Sequence, residues 1–382
     1  MKNLIIITLI LFLFIFIFYI LMNKKIKKSA KAILSACSAI LISLLIYIWF
    51  NPVWEYPEAS GMYGVGTASV TYTDEKRIES YRDDGSCRWL NIEFWYPEDY
   101  DGDEHACPLV LFSHGSLGIK ESNETLYREF ASHGYVVCAI DHTYQCLNTA
   151  APDGSNVKID QTYMKQILSS GDSSPEKRYE LYEYFKEWMG VRTADINFIL
   201  DTIIHNLSIE STSENGVYRL IDASNIGLIG HSLGGSAVLG VARTRDDISG
   251  VISLEAPFMC DVAGVDGKGN FIWNYDPYTV PVLNVYTDSS WDILPSSPQY
   301  AANKNMLDDD SASTYDIHVP GAGHMTLTDL AFDKPPLCLL FGQKLFFDVD
   351  ECTSALNHTY LEFFNCCLKD GGDYTPALFT EP

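Results

Sequence analysis

The pentapeptide G-H-S-L-G at residues 230–234 constrains the fold of this chain more than any other stretch. It lies between NIGLIG, an apolar run typical of a buried strand, and LGGSAVLGVA, a run that predicts a helix. Gly230 and Gly234 permit a turn too tight for side chains at those points, so Ser232 is forced to its tip. The pattern indicates a nucleophile elbow, in which the helix N-terminus favours negative charge developing beside the serine.

Strand and helix patterns alternate on both sides of this turn. TASVTYT and WLNIEFWY alternate like half-buried antiparallel strands, and PLVLFSHG and YVVCAIDH are continuous apolar runs typical of central parallel strands. After the elbow, GVISLEA, VPVLNVYTD and TYDIHVPGAGH predict three more strands. This alternation predicts one α/β domain with a mainly parallel sheet over residues 67–382.

Two further features of this domain are predicted. Residues 143–174 are polar and contain Pro152, Gly154 and Gly171, which favours a long irregular insertion of the kind that forms lids or binding loops. The following residues, through Leu207, predict a long helix interrupted near Gly190.

The catalytic base is expected to follow the serine along the chain, as it does in folds built around this elbow. His318 lies within a predicted strand and His358 within a predicted helix. His324 follows VPGAG, a flexible loop after the last strand, and is therefore predicted to be the general base.

The acid that orients this histidine is expected at the carboxyl end of a strand between Ser232 and His324. Glu255 ends GVISLE, and Asp288 ends VPVLNVYTD, so the pattern leaves both open. For the oxyanion, the backbone N–H of Leu233 is one predicted donor. The loop SHGSLG after an earlier central strand offers the N–H of Ser116 as the second.

Seven stretches between about residues 67 and 330 resemble α/β-hydrolases, and among them the platelet-activating-factor acetylhydrolases and the dienelactone-hydrolase-like and cutinase-like esterases. They are IEFWYP, PLVLFSHGSLG, FASHGYVVCAIDH, RTADINFILD, IGLIGHSLGGSAV, GVISLEA and VPGAGHMTLTD. The resemblance implies an α/β-hydrolase fold and a serine esterase that acts on short acyl chains. It favours Glu255 as the acid over Asp288, although the acetylhydrolases have Asp at that position.

The first fifty residues form a separate unit. Leu4 to Met22 and Ala32 to Phe50 are uncharged runs, each long enough to cross a bilayer as a helix. NKKIKKSAK between them has five Lys in nine residues, and short Lys-rich loops stay in the cytoplasm. The sequence thus predicts a two-helix transmembrane anchor over residues 1–50, a linker over 51–66, and a catalytic domain outside the cytoplasm.

The net charge of the chain limits the kinds of molecule that it can bind. The first fifty residues carry six Lys and no acid, so the remainder has 20 basic and 50 acidic residues and a formal charge of −30. A body this acidic repels nucleic acid, and no nucleic-acid partner is expected. No cofactor or metal is expected either. The predicted activity is hydrolysis of small-molecule or lipid esters. Amide cleavage or acyl transfer by the same triad remains an alternative, as does a non-catalytic binding module.

Overall fold

The computed structural model describes residues 2–52, 56–208, 216–307, 314–370, 372 and 374–375. Two helices precede the body, α1 (Lys2–Met22) and α2 (Lys28–Phe50), and they pack against each other. Both are long and apolar enough to cross a membrane, and little of either is buried within the protein.

Strands and helices alternate through the body. The strands are β1 (Val65–Ile78), β2 (Cys87–Pro97), β3 (Cys107–Ser113), β4 (Val136–Asp141), β5 (Asn148–Ala150), β6 (Asn156–Lys158), β7 (Ile221–His231), β8 (Ile248–Leu254), β9 (Val262–Val265), β10 (Phe271–Trp273), β11 (Val282–Thr287) and β12 (Thr314–Val319). The helices are α3 (Glu124–Ser132), α4 (Gln161–Ser169), α5 (Arg178–Ser208), α6 (Leu233–Ala242), α7 (Asp288–Trp291), α8 (Ala301–Leu307), α9 (Leu330–Asp333), α10 (Pro335–Leu340) and α11 (Val349–Phe364).

Eight strands form one sheet in the order β1-β2-β4-β3-β7-β8-β11-β12. β2 runs antiparallel to β1 and β4, and the pairs from β4 to β12 are parallel. The predicted α/β class with a mainly parallel sheet is therefore confirmed. The parallel strands end at one edge of the sheet, and the segments that leave that edge carry every predicted site residue.

Helices cover both faces of the sheet. One apolar cluster joins the strands to α5 and α6 through residues such as Trp188, Ile196 and Val238. A second cluster joins the opposite face to α3 and α11 through Phe130, Leu356 and others. Burial on both faces explains why β3 and β4 are continuous apolar runs.

Two sequence-based expectations about the helices and loops are wrong. The insertion 143–174 is not irregular throughout, because β5 and β6 pair as a hairpin within it and α4 follows them. The long helix α5 is continuous through Gly190, which is exposed there. A single helical glycine costs only about 1 kcal/mol, and the buried side chains of α5, such as Phe185 and Ile199, hold the helix on the sheet.

The limits of the predicted units remain a prediction. β1 begins at Val65, two residues before the predicted start of the catalytic domain. The predicted linker includes residues 53–55, which lie outside the described residues. All ten cysteines lie within the described residues, and none of them forms a disulfide bond.

Candidate active site

Ser232 occupies a strained turn between β7 and α6. Its φ of 54° and ψ of −121° lie in a region that residues with a side chain rarely adopt. Its backbone N–H donates to the carbonyl oxygen of Leu254, the last residue of β8, at 2.8 Å. Leu233 is the first residue of α6, so its N–H is one of the first-turn donors without a partner inside the helix. The serine is thus lifted above the end of the sheet, next to a helix N-terminus.

The two glycines of the pentapeptide are required by close backbone contacts. A Cβ at Gly230 would overlap the backbone of Gly234, one turn later. A Cβ at Gly234 would overlap the carbonyl oxygen of Ser113 at the end of β3. Three backbone segments therefore meet beneath Ser232, and only glycine fits at these points.

His324 and Glu255 approach each other at the same edge. Nδ1 of His324 lies 3.8 Å from Oε2 of Glu255, and the histidine side chain is 28% exposed while the glutamate is fully buried. Glu255 directly follows β8 with a positive φ of 48°, and its N–H donates to the carbonyl oxygen of Val285 at 2.7 Å. The structure thus brings together the serine's strand end, the preferred acid and the predicted base.

The environment of Glu255 keeps it ionised. Burial raises the pKa of this carboxyl, but the neighbouring charge of His324 and the hydroxyl of Thr287 hold the pKa below its ordinary value. Thr287 donates its hydroxyl to Oε2 at 2.5 Å. A buried carboxylate beside a histidine can orient the ring and stabilise its cationic form.

Asp288 faces a different histidine. Its Oδ1 lies 3.0 Å from Nε2 of His318, and its Oδ2 accepts from the N–H of Gly321 at 3.0 Å and from Lys344 at 2.8 Å. The ring of His318 also stacks on Trp291, with ring centroids 4.6 Å apart. Of the two acids that the sequence left open, the geometry places Glu255 and not Asp288 beside His324.

His231 was not assigned a role from the sequence. It directly precedes Ser232 in the elbow, and its ring packs against His324, the predicted base. Its ring lies 4.7 Å from that of His324, and its Nε2 donates to the carbonyl oxygen of His324 at 3.1 Å. Burial, together with the charge of His324, lowers the pKa of His231 to about 3, so this ring is neutral. A Cβ at Gly115 would come within 2.9 Å of its Nδ1. His231 thus touches both the oxyanion loop, residues 114–118, and the His324 loop.

Helix α5 and the insertion fix the oxyanion loop from behind. The buried guanidinium of Arg192 donates to the carbonyl oxygen of His114, and to that of Gly115 at 3.3 Å. The hydroxyl of Tyr163, on α4, donates to the carbonyl oxygen of Ser116 at 3.2 Å. The carbonyl oxygens of residues 114–116 are therefore all held by buried side chains. Gly115 lies next to Ser232, and the half-buried Ser116 follows it.

A second chain of hydrogen bonds starts one turn further along α5. Asp195 lies 2.9 Å from Nδ1 of His142, and Nε2 of His142 lies 2.9 Å from the hydroxyl of Ser113. Burial lowers the pKa of His142 to about 4, so the neutral ring donates to Asp195 and accepts from Ser113. Asp195 is held by Arg88 at 2.6 Å and Arg77 at 2.5 Å. All of the residues of this chain except Arg77 are buried, so it can set the end of β3 but cannot reach a substrate.

One group of side chains has the composition of a metal site. His114, Asp141 and Cys146 are buried with ligand atoms within 4.8 Å of one another. The oxygens of Asp141 already accept from Lys120 N–H and the Thr149 hydroxyl, both at 2.7 Å. The guanidinium that holds His114 also places a cation nearby, which disfavours a second one. The expectation that the chain needs no metal stays a prediction.

The fold and the elbow define the class of protein. A mainly parallel sheet, a strained serine between β7 and α6, and a histidine in the loop after the last strand are the features of an α/β-hydrolase. The sequence model of the family "Platelet-activating factor acetylhydrolase, isoform II" matches residues 98–375. The chain belongs to this family, and the match includes every predicted site residue.

Individual relatives are distant. The chain is 26% identical over 208 residues to a probable 1-alkyl-2-acetylglycerophosphocholine esterase of Arthroderma benhamiae, which covers 53% of this chain and 46% of that protein. It is 22% identical over 288 residues to the platelet-activating factor acetylhydrolase of Gallus gallus, covering 70% of this chain and 63% of that one. The chain thus matches less than two thirds of the length of these relatives.

A solved structure supports the fold. The ferulic acid esterase of Streptomyces cinnamoneus superposes with a TM-score of 0.61 at 21% identity, over 86% of this chain and 96% of that one. At this level of identity the likeness bears on the architecture alone.

Proposed function

We propose that this chain is a membrane-tethered serine ester hydrolase. Ser232 is the nucleophile, His324 the general base and Glu255 the acid that orients the base. The observation that carries the proposal is the meeting, at one edge of the sheet, of an elbow serine with the pair formed by His324 Nδ1 and Glu255 Oε2 at 3.8 Å. A plain structural turn has no need of a strained serine beside a buried carboxylate–histidine pair.

The reaction follows from these positions. Because Nδ1 of His324 faces Glu255, Nε2 is left to take the proton of the Ser232 hydroxyl as its oxygen attacks the ester carbonyl. The ionised Glu255 stabilises the imidazolium, which then gives the proton to the departing alcohol. Water attacks the acyl-enzyme in the same way and releases the carboxylic acid with free Ser232.

Two backbone N–H groups are proposed to hold the oxyanion. Leu233 supplies one as the first residue of α6, where the helix dipole adds to its effect. Ser116 supplies the other, and its loop is kept in place by Arg192 and Tyr163 through the carbonyl oxygens of residues 114–116. Donors fixed in advance need no rearrangement when the charge develops, which is the source of their catalytic effect.

We propose lipid esters with a short acyl chain as the substrate class. The relatives' names point to an acetyl ester of a glycerophosphocholine and to platelet-activating factor. α1 and α2 would hold the body at the surface of the membrane in which such esters reside. The Lys-rich turn between the helices favours a cytoplasmic loop, and hence a body on the outer side.

The test of activity uses the full chain in lipid nanodiscs. p-Nitrophenyl esters with acyl chains of graded length are offered to the wild type, to Ser232→Ala and to Ser224→Ala. Ser224 is an exposed serine near the start of β7, before the buried part of this strand. We expect activity that is highest for the shortest chains, unchanged in Ser224→Ala and lost in Ser232→Ala. Equal activity in the wild type and Ser232→Ala would refute the proposal.

The placement of the body has its own test. Protease added to intact cells should digest the catalytic body and leave the turn between α1 and α2 protected. If the body is digested only after the membrane is opened, the proposed orientation is wrong, whatever the result for activity.

A further inference from the structure

The turn that follows β11 contacts both the acid and the base of the proposed site. Thr287 ends β11, and Asp288 and Ser289 begin α7. The hydroxyl of Thr287, which is fully buried, donates to Oε2 of Glu255 at 2.5 Å and accepts from the N–H of Ser289 at 3.2 Å. Because the backbone of α7 already donates to this oxygen, the hydroxyl hydrogen is directed at the carboxylate.

The bond from Thr287 fixes the direction of the acid. Oε1 of Glu255 is buried and has no hydrogen-bond partner among the described residues, and within the same residues Thr287 is the one hydrogen-bond donor to Oε2. Nδ1 of His324 lies beyond hydrogen-bond distance from Oε2, at 3.8 Å. A glutamate has one more rotatable bond than an aspartate, so more freedom must be lost before its carboxylate faces a fixed direction. The hydroxyl of Thr287 therefore holds the oxygen that faces the base.

Ser289 holds the backbone of the base. Its hydroxyl oxygen accepts from the N–H of His324 at 3.0 Å, and its hydroxyl donates to the carbonyl oxygen of Phe341 at 3.0 Å. That carbonyl oxygen also accepts from the N–H of His324 at 3.2 Å. Gly342 makes this contact possible, because a Cβ there would lie 2.7 Å from the hydroxyl oxygen and its φ of 97° suits glycine. The N–H of His324 is thus shared by two acceptors that are bonded to each other.

Asp288, between the two, holds the loop that leads to the base. Its N–H donates to the carbonyl oxygen of Ala322 at 3.2 Å, and its Oδ2 accepts from the N–H of Gly321 at 3.0 Å. The first bond does not involve the side chain, and an asparagine keeps an oxygen that can accept the second. The side chains of this turn that no backbone bond replaces are therefore those of Thr287 and Ser289.

We infer that Thr287 and Ser289 are positioning residues, which together set the acid and the base in place against each other. Thr287 acts on the carboxylate of Glu255, and Ser289 acts on the backbone of His324. The two are linked by the bond from the Ser289 N–H to the Thr287 hydroxyl, so one turn of the chain fixes both ends of the 3.8 Å contact. The inference rests on the proposed esterase function, and neither residue touches the reacting atoms in that mechanism.

The first experiment separates the hydroxyl of Thr287 from its shape, with p-nitrophenyl acetate as substrate and the full chain in lipid nanodiscs. Thr287→Val keeps the shape and loses the donor, whereas Thr287→Ser keeps the donor and loses a methyl group. We expect kcat to fall about 10- to 100-fold in Thr287→Val with KM within about twofold, and to stay within about fivefold in Thr287→Ser. If Thr287→Val keeps the wild-type kcat, or Thr287→Ser falls as far, the inference is wrong.

Thr149→Val is the matched control. Thr149 is also buried, and its hydroxyl donates to a buried carboxylate, that of Asp141, at 2.7 Å. The variant therefore leaves a buried carboxylate with one donor fewer, as Thr287→Val does, but away from the acid. Its kcat should stay within about threefold of the wild type. Equal falls in kcat and in melting temperature for Thr149→Val and Thr287→Val would show a general loss of stability and overturn the inference.

Ser289→Ala is compared in the same way with Ser132→Ala. Ser132, at the end of α3, makes the same two kinds of bond: its hydroxyl oxygen accepts from the N–H of Gly61 at 3.1 Å, and its hydroxyl donates to the carbonyl oxygen of Glu129 at 2.8 Å. We expect kcat to fall about 5- to 20-fold in Ser289→Ala and to change by less than about twofold in Ser132→Ala. Equal effects on kcat would overturn the role of Ser289.

The last experiment asks whether Thr287 acts through the acid. In a Glu255→Gln background, Thr287→Val should lower kcat further by less than about threefold, because the carboxylate that the hydroxyl holds is already gone. An undiminished further fall would overturn the inference. The esterase proposal has a separate outcome. Activity shared equally by the wild type and Ser232→Ala refutes it, whereas activity that depends on Ser232 and that Thr287→Val leaves unchanged contradicts the inference alone.

Discussion

Nδ1 of His324 faces Oε2 of Glu255 at 3.8 Å, while the carboxylate of Asp288 is occupied by His318, Gly321 and Lys344. The pairing separates two acids that stand at the ends of neighbouring strands and that the sequence could not distinguish by position alone. In the proposed mechanism only the acid that faces the base matters for kcat.

Replacing Glu255 by Gln should therefore lower kcat by about 10²- to 10⁴-fold, because the base loses its orientation and the charge that stabilises its cation. Asp288→Asn, the matched variant one strand away, should change kcat by less than about fivefold. Steady-state kinetics on p-nitrophenyl acetate, with melting curves of both variants, make the comparison. A collapse of kcat in Asp288→Asn with near-normal kcat in Glu255→Gln would transfer the role to Asp288.

The oxyanion loop gives the next prediction. Arg192→Lys keeps the positive charge but cannot bond to the carbonyl oxygens of His114 and Gly115 and to Gln145 at the same time. We expect kcat to fall by about 10- to 100-fold with little change in KM. If the N–H of Ser116 is displaced, the transition state loses more stabilisation than the bound ester does. Arg245→Lys is the control, because the partners of this arginine among the described residues, Asp201, Asp247 and Asn197, lie away from the site. Equal falls in kcat and in melting temperature for both variants would indicate a general loss of stability instead.

A part of this site could be predicted from the sequence where its residues lie close together along the chain. The elbow is local: strand, turn and helix lie within residues 221–242, and glycine spacing alone marks the tight turn. The base could be found by chain order and by its loop. Position alone could not identify the acid, because Glu255 and Asp288 both follow parallel strands. The resemblance to the acetylhydrolases favoured Glu255, and it is the side chain of Glu255 that faces His324, while Asp288 faces His318.

The side chains that hold the oxyanion loop and the end of β3, Arg192 and Asp195, could not be predicted from the sequence for another reason. Arg192 and Asp195 contact residues about 50 to 110 positions away, and these contacts exist only once α5 has packed against the sheet. Their one local signal is an Arg and an Asp three residues apart on the face of α5 that also carries Ile196 and Ile199. Charged residues on a buried helix face need partners, and that rule could have flagged them.

Buried Asp329 predicts how stability varies with pH. Burial raises the pKa of Asp329 from 3.8 to about 7, more than the bonds from Thr125 N–H at 2.9 Å and its hydroxyl at 2.5 Å can lower it. The folded state therefore binds this proton more tightly than the unfolded state. The resulting stabilisation is complete below about pH 4 and is lost as the pH rises through about 7.

The Asp329→Asn variant should lack this dependence, because an amide can accept from the Thr125 N–H and donate to its hydroxyl without titrating. Relative to the wild type, its melting temperature should be higher at pH 8 than at pH 5, with the difference growing through pH 4 to 7. Asp103→Asn, at an exposed carboxylate, is the control for the loss of one negative charge. If Asp329→Asn gives a constant difference, Asp329 does not titrate in this range.

The strain at Ser232 can be measured by comparing two substitutions at two positions. At residue 232, with its φ of 54°, glycine relieves a conformation that costs a side-chain-bearing residue about 1–3 kcal/mol, whereas alanine keeps that cost. Ser232→Gly should thus be more stable than Ser232→Ala, and both should lack activity. At Ser236, inside α6, the order should reverse, since glycine in a helix is about 1 kcal/mol less stable than alanine. Both Ser236 variants lose the same bond, from Cys260 N–H to the hydroxyl, so that loss cancels. Thermal melts of the four proteins in nanodiscs give the two differences. If alanine is more stable than glycine at residue 232 as well as at residue 236, the elbow stores no strain.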